Sequence, residues 1–165
     1  MKKYPTQFLW MMMIFSLLTL PFLGWKHFKR FAPSAIFISV FITLEGFLAE
    51  KRKWWAIYKK IPPYFINEFA FIAGPFFAAT LWTLRLTYGR FWNFCLLNMI
   101  SDGLFVFPVY NWLKGMGIFS LVKLQRIQLY LIFLFKALLV YAFQTIWERL
   151  FPFRNEPLEK KSTIN

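Results

Sequence analysis

The chain of 165 residues has room for one domain, and its 59% apolar against 16% charged residues lie far from the balance of a soluble domain. A particle this small keeps much of its surface exposed, so the apolar surplus needs an apolar solvent, and 23 Phe with only 7 Gly suit a surface that faces lipid. The net charge of +13 does not make a nucleic-acid module, because the basic residues fall in short gaps between apolar runs instead of gathering on one face.

These features predict an all-α integral membrane fold: one membrane domain, a bundle of about five transmembrane helices with the third and fourth kinked, joined by short interfacial segments. The first span is expected at residues 8–24. Its charged head and apolar core resemble a signal peptide, but Phe22 stands where a cleavage site needs a small residue, so it reads as an uncleaved helix. Trp25 to Arg30 is expected to turn the chain. The second span, 31–49, then carries Pro33 in its first turn, where proline is tolerated. Glu50 to Pro63 combines Lys51, Arg52, Lys53, Lys59 and Lys60 with Trp54, Trp55 and Tyr58, the composition of a segment lying at headgroup level.

Span three is expected at 64–87, a reversal at Tyr88-Gly89, and span four at 90–113. Between Lys114 and Arg126 the apolar residues Ile118, Phe119, Leu121, Val122 and Leu124 alternate with charges and predict a short interfacial helix. Span five, 127–147, precedes a polar tail, 148–165, whose Pro152 and Pro157 argue against further helix.

Several residues in the predicted spans call for an explanation. In span four, Cys95, Asn98, Ser101 and Asp102 fall within an arc of about 120° at helical spacing. Such a stripe supplies interhelical hydrogen bonds or lines a polar pathway. In span three, Ala70, Gly74 and Ala78 make a ridge of small residues that lets helix backbones approach. Pro75 and Pro108 each remove one backbone hydrogen bond near mid-span, which is why kinks are expected there. Glu45 and Glu68 lie about one turn inside the ends of spans two and three, on the side of the Lys51–Lys53 cluster. They are read as interfacial acids neutralised by neighbouring Lys and Arg, with a paired-carboxylate site as the rival. Asp102 and Lys136 arrive at one depth near mid-bilayer, and an ion pair between them is expected, since a lone charge there costs roughly 2.5–3.5 kcal/mol.

Reaction chemistry finds little purchase. A single Cys and a single His27 exclude an internal disulfide and a protein-built zinc site, so no metal is expected. His27 lies far in depth from Ser101 and Asp102, which leaves no nucleophilic triad. Phosphate-loop, metalloprotease and hydrolase-elbow motifs are missing, and no cofactor is expected. The Phe-, Lys- and Ile-rich composition resembles that of small multi-pass proteins from AT-rich bacterial genomes. The expected setting is the plasma membrane, with anionic headgroups as partners of the basic gaps.

The first expectation for function is a non-enzymatic protein that binds or regulates another membrane protein or itself. The alternative is a small oligomeric transporter or permeation subunit using the span-four stripe with Glu45 and Glu68. A lipid-modifying enzyme using Arg85, Arg90 and the acids is a third.

The basic residues are nearly balanced across the membrane. Lys2, Lys3, Lys51, Arg52, Lys53, Lys59, Lys60, Lys114, Lys123 and Arg126 stand on one side. Lys26, Lys29, Arg30, Arg85, Arg90, Arg149, Arg154, Lys160 and Lys161 stand on the other. The dense Lys51–Lys60 cluster favours an N-terminus inside. Thiol labelling of single-cysteine variants in a Cys95→Ser background is expected to place the N-terminus and the 51–60 loop on one face and the C-terminal tail on the other. Both termini labelling from one side would exclude five spans.

Overall fold

Gly24, with φ of +83°, is the point at which the first two apolar segments part in the computed structural model, which describes residues 5–63 and 66–152. Glycine adopts that left-handed backbone without steric cost. Before it run helix α1 (Pro5–Leu18) and a 3-10 turn (Leu20–Leu23). After it comes α2 (Trp25–Arg52), with no intervening loop. The expected turn at Trp25–Arg30 is therefore helical, and Pro33 lies in the helix interior and not in its first turn. At 28 residues α2 is about 42 Å long, more than a bilayer's hydrocarbon needs, so both basic ends reach the headgroup level.

The chain continues through strand β1 (Trp55–Ile57), helix α3 (Phe69–Thr87), helix α4 (Phe91–Gly115), strand β2 (Phe119–Leu121) and helix α5 (Arg126–Leu150). Five helical segments are long and apolar enough to cross a membrane, as expected of a multi-pass membrane protein. Their outward faces carry large apolar residues such as Phe15, Phe22, Leu44, Leu86, Trp92 and Leu131. In water that surface would be untenable; lipid is its matching solvent. The N-terminal Lys2 and Lys3, the expected start of span three at Tyr64, and the polar tail from 153 onward lie outside the described residues.

The interfacial helix expected between Lys114 and Arg126 is a strand instead. β1 and β2 pair antiparallel, with Trp55 opposite Leu121 and Ile57 opposite Phe119. Tyr58 N–H donates to the Ile118 carbonyl at 2.9 Å, and Val122 N–H to the Trp54 carbonyl at 3.0 Å, which extend the pairing at both ends. Two loops leave the bundle on the same side, and their backbone groups need hydrogen-bond partners. Each loop supplies the other's partners, and the ribbon that results covers that end of the bundle.

Both prolines expected to kink their spans sit in π-helical turns, Pro75 in Ile72–Phe76 and Pro108 in Phe105–Val109. A wider turn accommodates the missing N–H without leaving the helix. The first of these turns is where α1 crosses α3. A Cβ on Gly74 would lie 2.9 Å from the Met13 Cα, so the two backbones approach as only glycine permits. Ala70 and Ala78 are buried one turn to either side.

The buried residues form two clusters. One lies towards the ribbon and includes Ala70, Phe71, Val106, Tyr110, Phe119 and Phe133. The other lies towards Gly24 and includes Phe31, Ile38, Ile42, Leu81, Phe94 and Val140. Phe76 packs against both. Gly74→Leu is expected to lower the melting temperature in detergent well below that of Phe77→Leu, since it forces α1 from α3, while Phe77 is only half buried. Equal melting of the two variants would show that the close approach contributes nothing.

Candidate functional site

Helices α2 and α5 run antiparallel, and their facing residues follow at helical intervals. From α5 come Lys136, Val140, Gln144 and Glu148; from α2 come Glu45, Ile38, Ser34 and Arg30. At the end near Gly24, Arg30 grips Glu148 with both nitrogens of its fork, Nη2 at 2.9 Å. One turn inward, the Ser34 hydroxyl donates to Gln144 Oε1 at 2.6 Å, and Gln144 Nε2 donates to Glu148 at 2.9 Å. Val140 and Ile38 follow as an apolar step, both buried. Beyond it the Lys136 ammonium donates to Glu45 at 2.7 Å, with both side chains about nine-tenths buried. Lys136 also sits 4.5 Å from the Phe133 ring centre, where the ring's negative face attracts it.

This geometry corrects the expected pairing. Lys136 bonds Glu45, and Asp102 is in neither of the two ion pairs found among the described residues. Depth alone does not select the partner: Glu45 is close enough in depth and directly faces Lys136 across the α2–α5 seam. Glu45 is therefore not an interfacial acid neutralised by Lys51–Lys53. Nor is Glu68, which is buried and accepts a hydrogen bond from the Trp55 indole at 2.8 Å. Burial pushes the Glu68 carboxyl above the usual carboxylate range, against the pull of that indole bond. Gly46 makes its room: a methyl there would overlap the Glu68 carboxylate.

Two cavities meet at this level. The first, of about 40 Å³, holds Glu45, Glu68, Trp55 and Lys136 among aromatic walls that include Phe71 and Phe105. The second, of about 80 Å³, holds Thr80, Thr83, Asn98, Ser101, Asp102 and Lys136. Ile42, Phe76, Phe133 and Lys136 line both and so form the partition. A water needs about 10–15 Å³ on this measure, so the cavities have room for a few waters and not for a bulky solute. A third recess of about 240 Å³, lined by Lys53, Lys60, Asn67, Trp55 and Glu68, lies on the ribbon side of the first.

The span-four stripe divides on this arrangement. Asn98, Ser101 and Asp102 share the second cavity, while Cys95 is half buried outside it. Asn98 spends its amide on the Phe94 carbonyl at 2.7 Å. Asp102 Oδ2 is buried and has no hydrogen-bond partner, the one such side-chain atom among the described residues. Arg85 and Arg90 lie at the opposite end of the bundle from Glu68. Arg85 donates to the Phe22 carbonyl at 2.6 Å and covers Trp82. They do not converge with the acids. Sequence reasoning missed Ser34, Gln144 and Glu148, although the spacing of Lys136, Gln144 and Glu148, eight and then four residues apart, was a usable signal. No group of three metal-ligating side chains exists among the described residues.

Comparison with known proteins finds no matching family, no similar curated protein and no similar solved structure.

Lys136→Met is expected to destabilise the bundle strongly, since removing one partner of a buried pair costs roughly 3–5 kcal/mol. Adding Glu45→Met should restore much of the loss, because both desolvation costs then vanish. Adding Asp102→Leu should restore less. Melting temperatures in detergent that rank the two double variants the other way would reassign the partner.

Proposed function

We propose that this chain is a small membrane transport protein that passes an ion along the polar groups of its interior. The observation that carries this is the excess of carboxylates around Lys136. A structural clamp needs one acid for one base, and apolar residues of the same volume would hold the helices as well. Here Glu45, Glu68 and Asp102 border the two cavities that Lys136 shares, and one oxygen of Asp102 is left unpaired. An unpaired buried polar atom is expensive, and ionisable residues inside a membrane bundle are characteristic of ion pathways.

The order of the cavities supports the same conclusion. From the ribbon end the recess at Lys53 and Lys60 shares Trp55, Ile57 and Glu68 with the first cavity, which shares Lys136 with the second. Ile38, Phe94 and Val140, all buried, form the wall of the second cavity on the side towards Gly24. Exposed Ala79 and Ser101 also line the second cavity, so its polar groups are reached from the bundle surface as well as from the first cavity.

A partner-binding role has no comparable observation behind it, because the exposed apolar faces are what lipid contact demands. A lipid-modifying role would need Arg85 and Arg90 near the acids, and they stand at the other end. We place the protein in the plasma membrane, its basic ends among anionic headgroups.

Reconstitution of the purified chain into liposomes tests the proposal. Ion flux above that of empty liposomes, from a self-associated or monomeric protein, is the expected result. A stoichiometric second protein retained through detergent purification, with liposomes no leakier than controls, would instead restore the partner-binding role.

A further inference from the structure

The geometry points to the proton as the species moved, with Lys136 performing the step by exchanging Glu45 for Asp102 as its partner; this rests on the transport function proposed above. Lys136 is the one charged residue that lines both cavities. The groups facing it are Glu45 from α2, Asp102 from α4 and Glu68 from the start of α3, with Phe133 from its own helix. It is bonded to Glu45, while the unpartnered Oδ2 of Asp102 offers a second acceptor in the cavity they share. A lysine side chain has four rotatable carbons and a freely turning ammonium, so a change of rotamer is enough to change partner.

A metal cation fits the first cavity poorly. Its walls are Trp55, Phe71, Phe105 and other apolar side chains, and apart from Glu45 and Glu68 they offer no oxygen to replace a hydration shell. The ammonium of Lys136 already occupies the cationic position beside Glu45. A proton needs neither ligands nor space, only carboxylates and a few waters, and about 40 Å³ and 80 Å³ provide for those.

The proton count closes over one cycle. A proton entering from the ribbon side is taken up by Glu68 and passes through the first cavity to Glu45, whose carboxylate becomes neutral. Lys136, no longer held by a charge, moves its ammonium to the Asp102 carboxylate. There it gives one proton to the Asp102 carboxylate, which passes it to water in the second cavity, and becomes the neutral amine. The amine returns to the protonated Glu45 and takes its proton, which restores the original ion pair. One proton has left the first cavity and one has entered the second. Release towards Gly24 requires Ile38, Phe94 and Val140, which wall the second cavity on that side, to part.

Two measurements test this on the full chain. The first uses liposomes with a potassium gradient, valinomycin and an internal pH dye, with sodium uptake followed in parallel. Wild-type protein should carry protons and not sodium, and Asp102→Asn should reduce proton flux at least tenfold while melting close to the wild type, since Lys136 keeps Glu45. Undiminished flux in that variant overturns the exchange. Sodium flux without proton flux overturns the choice of proton but leaves transport standing, whereas no flux of either ion overturns transport itself. The second measurement needs no activity: Asp102→Asn should lower the melting temperature far more in a Glu45→Gln background, where Lys136 has moved to Asp102, than in the wild type. An equal shift in both backgrounds overturns the exchange independently.

Discussion

A lysine ammonium placed halfway along a membrane helix must be answered by a charge, and in this protein the answer comes from Glu45 across the α2–α5 seam at 2.7 Å. The pair sets the register of two helices far apart in sequence. Once Lys136 faces Glu45, the antiparallel spacing puts Val140 beside Ile38, Gln144 beside Ser34 and Glu148 beside Arg30. A shift by one helical turn would break the ion pair and separate the polar groups beyond it at once. In lipid, where apolar surfaces discriminate poorly between one another, such directional contacts decide which faces meet.

The rest of the bundle adapts to that seam. Phe133 and Phe76 close around the ammonium, and the two apolar clusters meet at its level. Gly46 leaves space for the Glu68 carboxylate, and the ribbon strand β1 brings Trp55 to hold it. The ribbon therefore does more than pair two loops. By joining the segment after α2 to the segment before α5, it ties together the ribbon-side ends of the same two helices that carry the buried pair.

Charge distribution distinguishes the two ends of the seam. Near Gly24 the acid and base are matched: Arg30 and Glu148 satisfy each other in a bidentate pair, supported by Gln144. That network has the completeness of a structural lock. Around Lys136 the acids outnumber the base and one carboxylate oxygen has no donor. The first has a single satisfied arrangement, whereas the second sets two acceptors, Glu45 and Asp102, around one donor.

Periodicity and composition determined the solvent, the helical class, the five apolar spans and the two prolines that interrupt helical bonding, because each depends on residues close together in the chain. Lys136 and Asp102 were legible as charges that lipid would not tolerate alone, and Gly74 as a place for close approach. The partners were not legible. Depth along a span can be counted from sequence, but the rotation of each helix about its axis depends on all its neighbours together, and that rotation turned Lys136 towards Glu45. The ribbon was hidden for a similar reason: Phe119 to Leu121 has no strand partner nearby in sequence, and only the return of two distant loops to one end of the bundle supplied it. Local residues determined what each segment must do in a membrane; the packing of five helices decided which side chains they do it with.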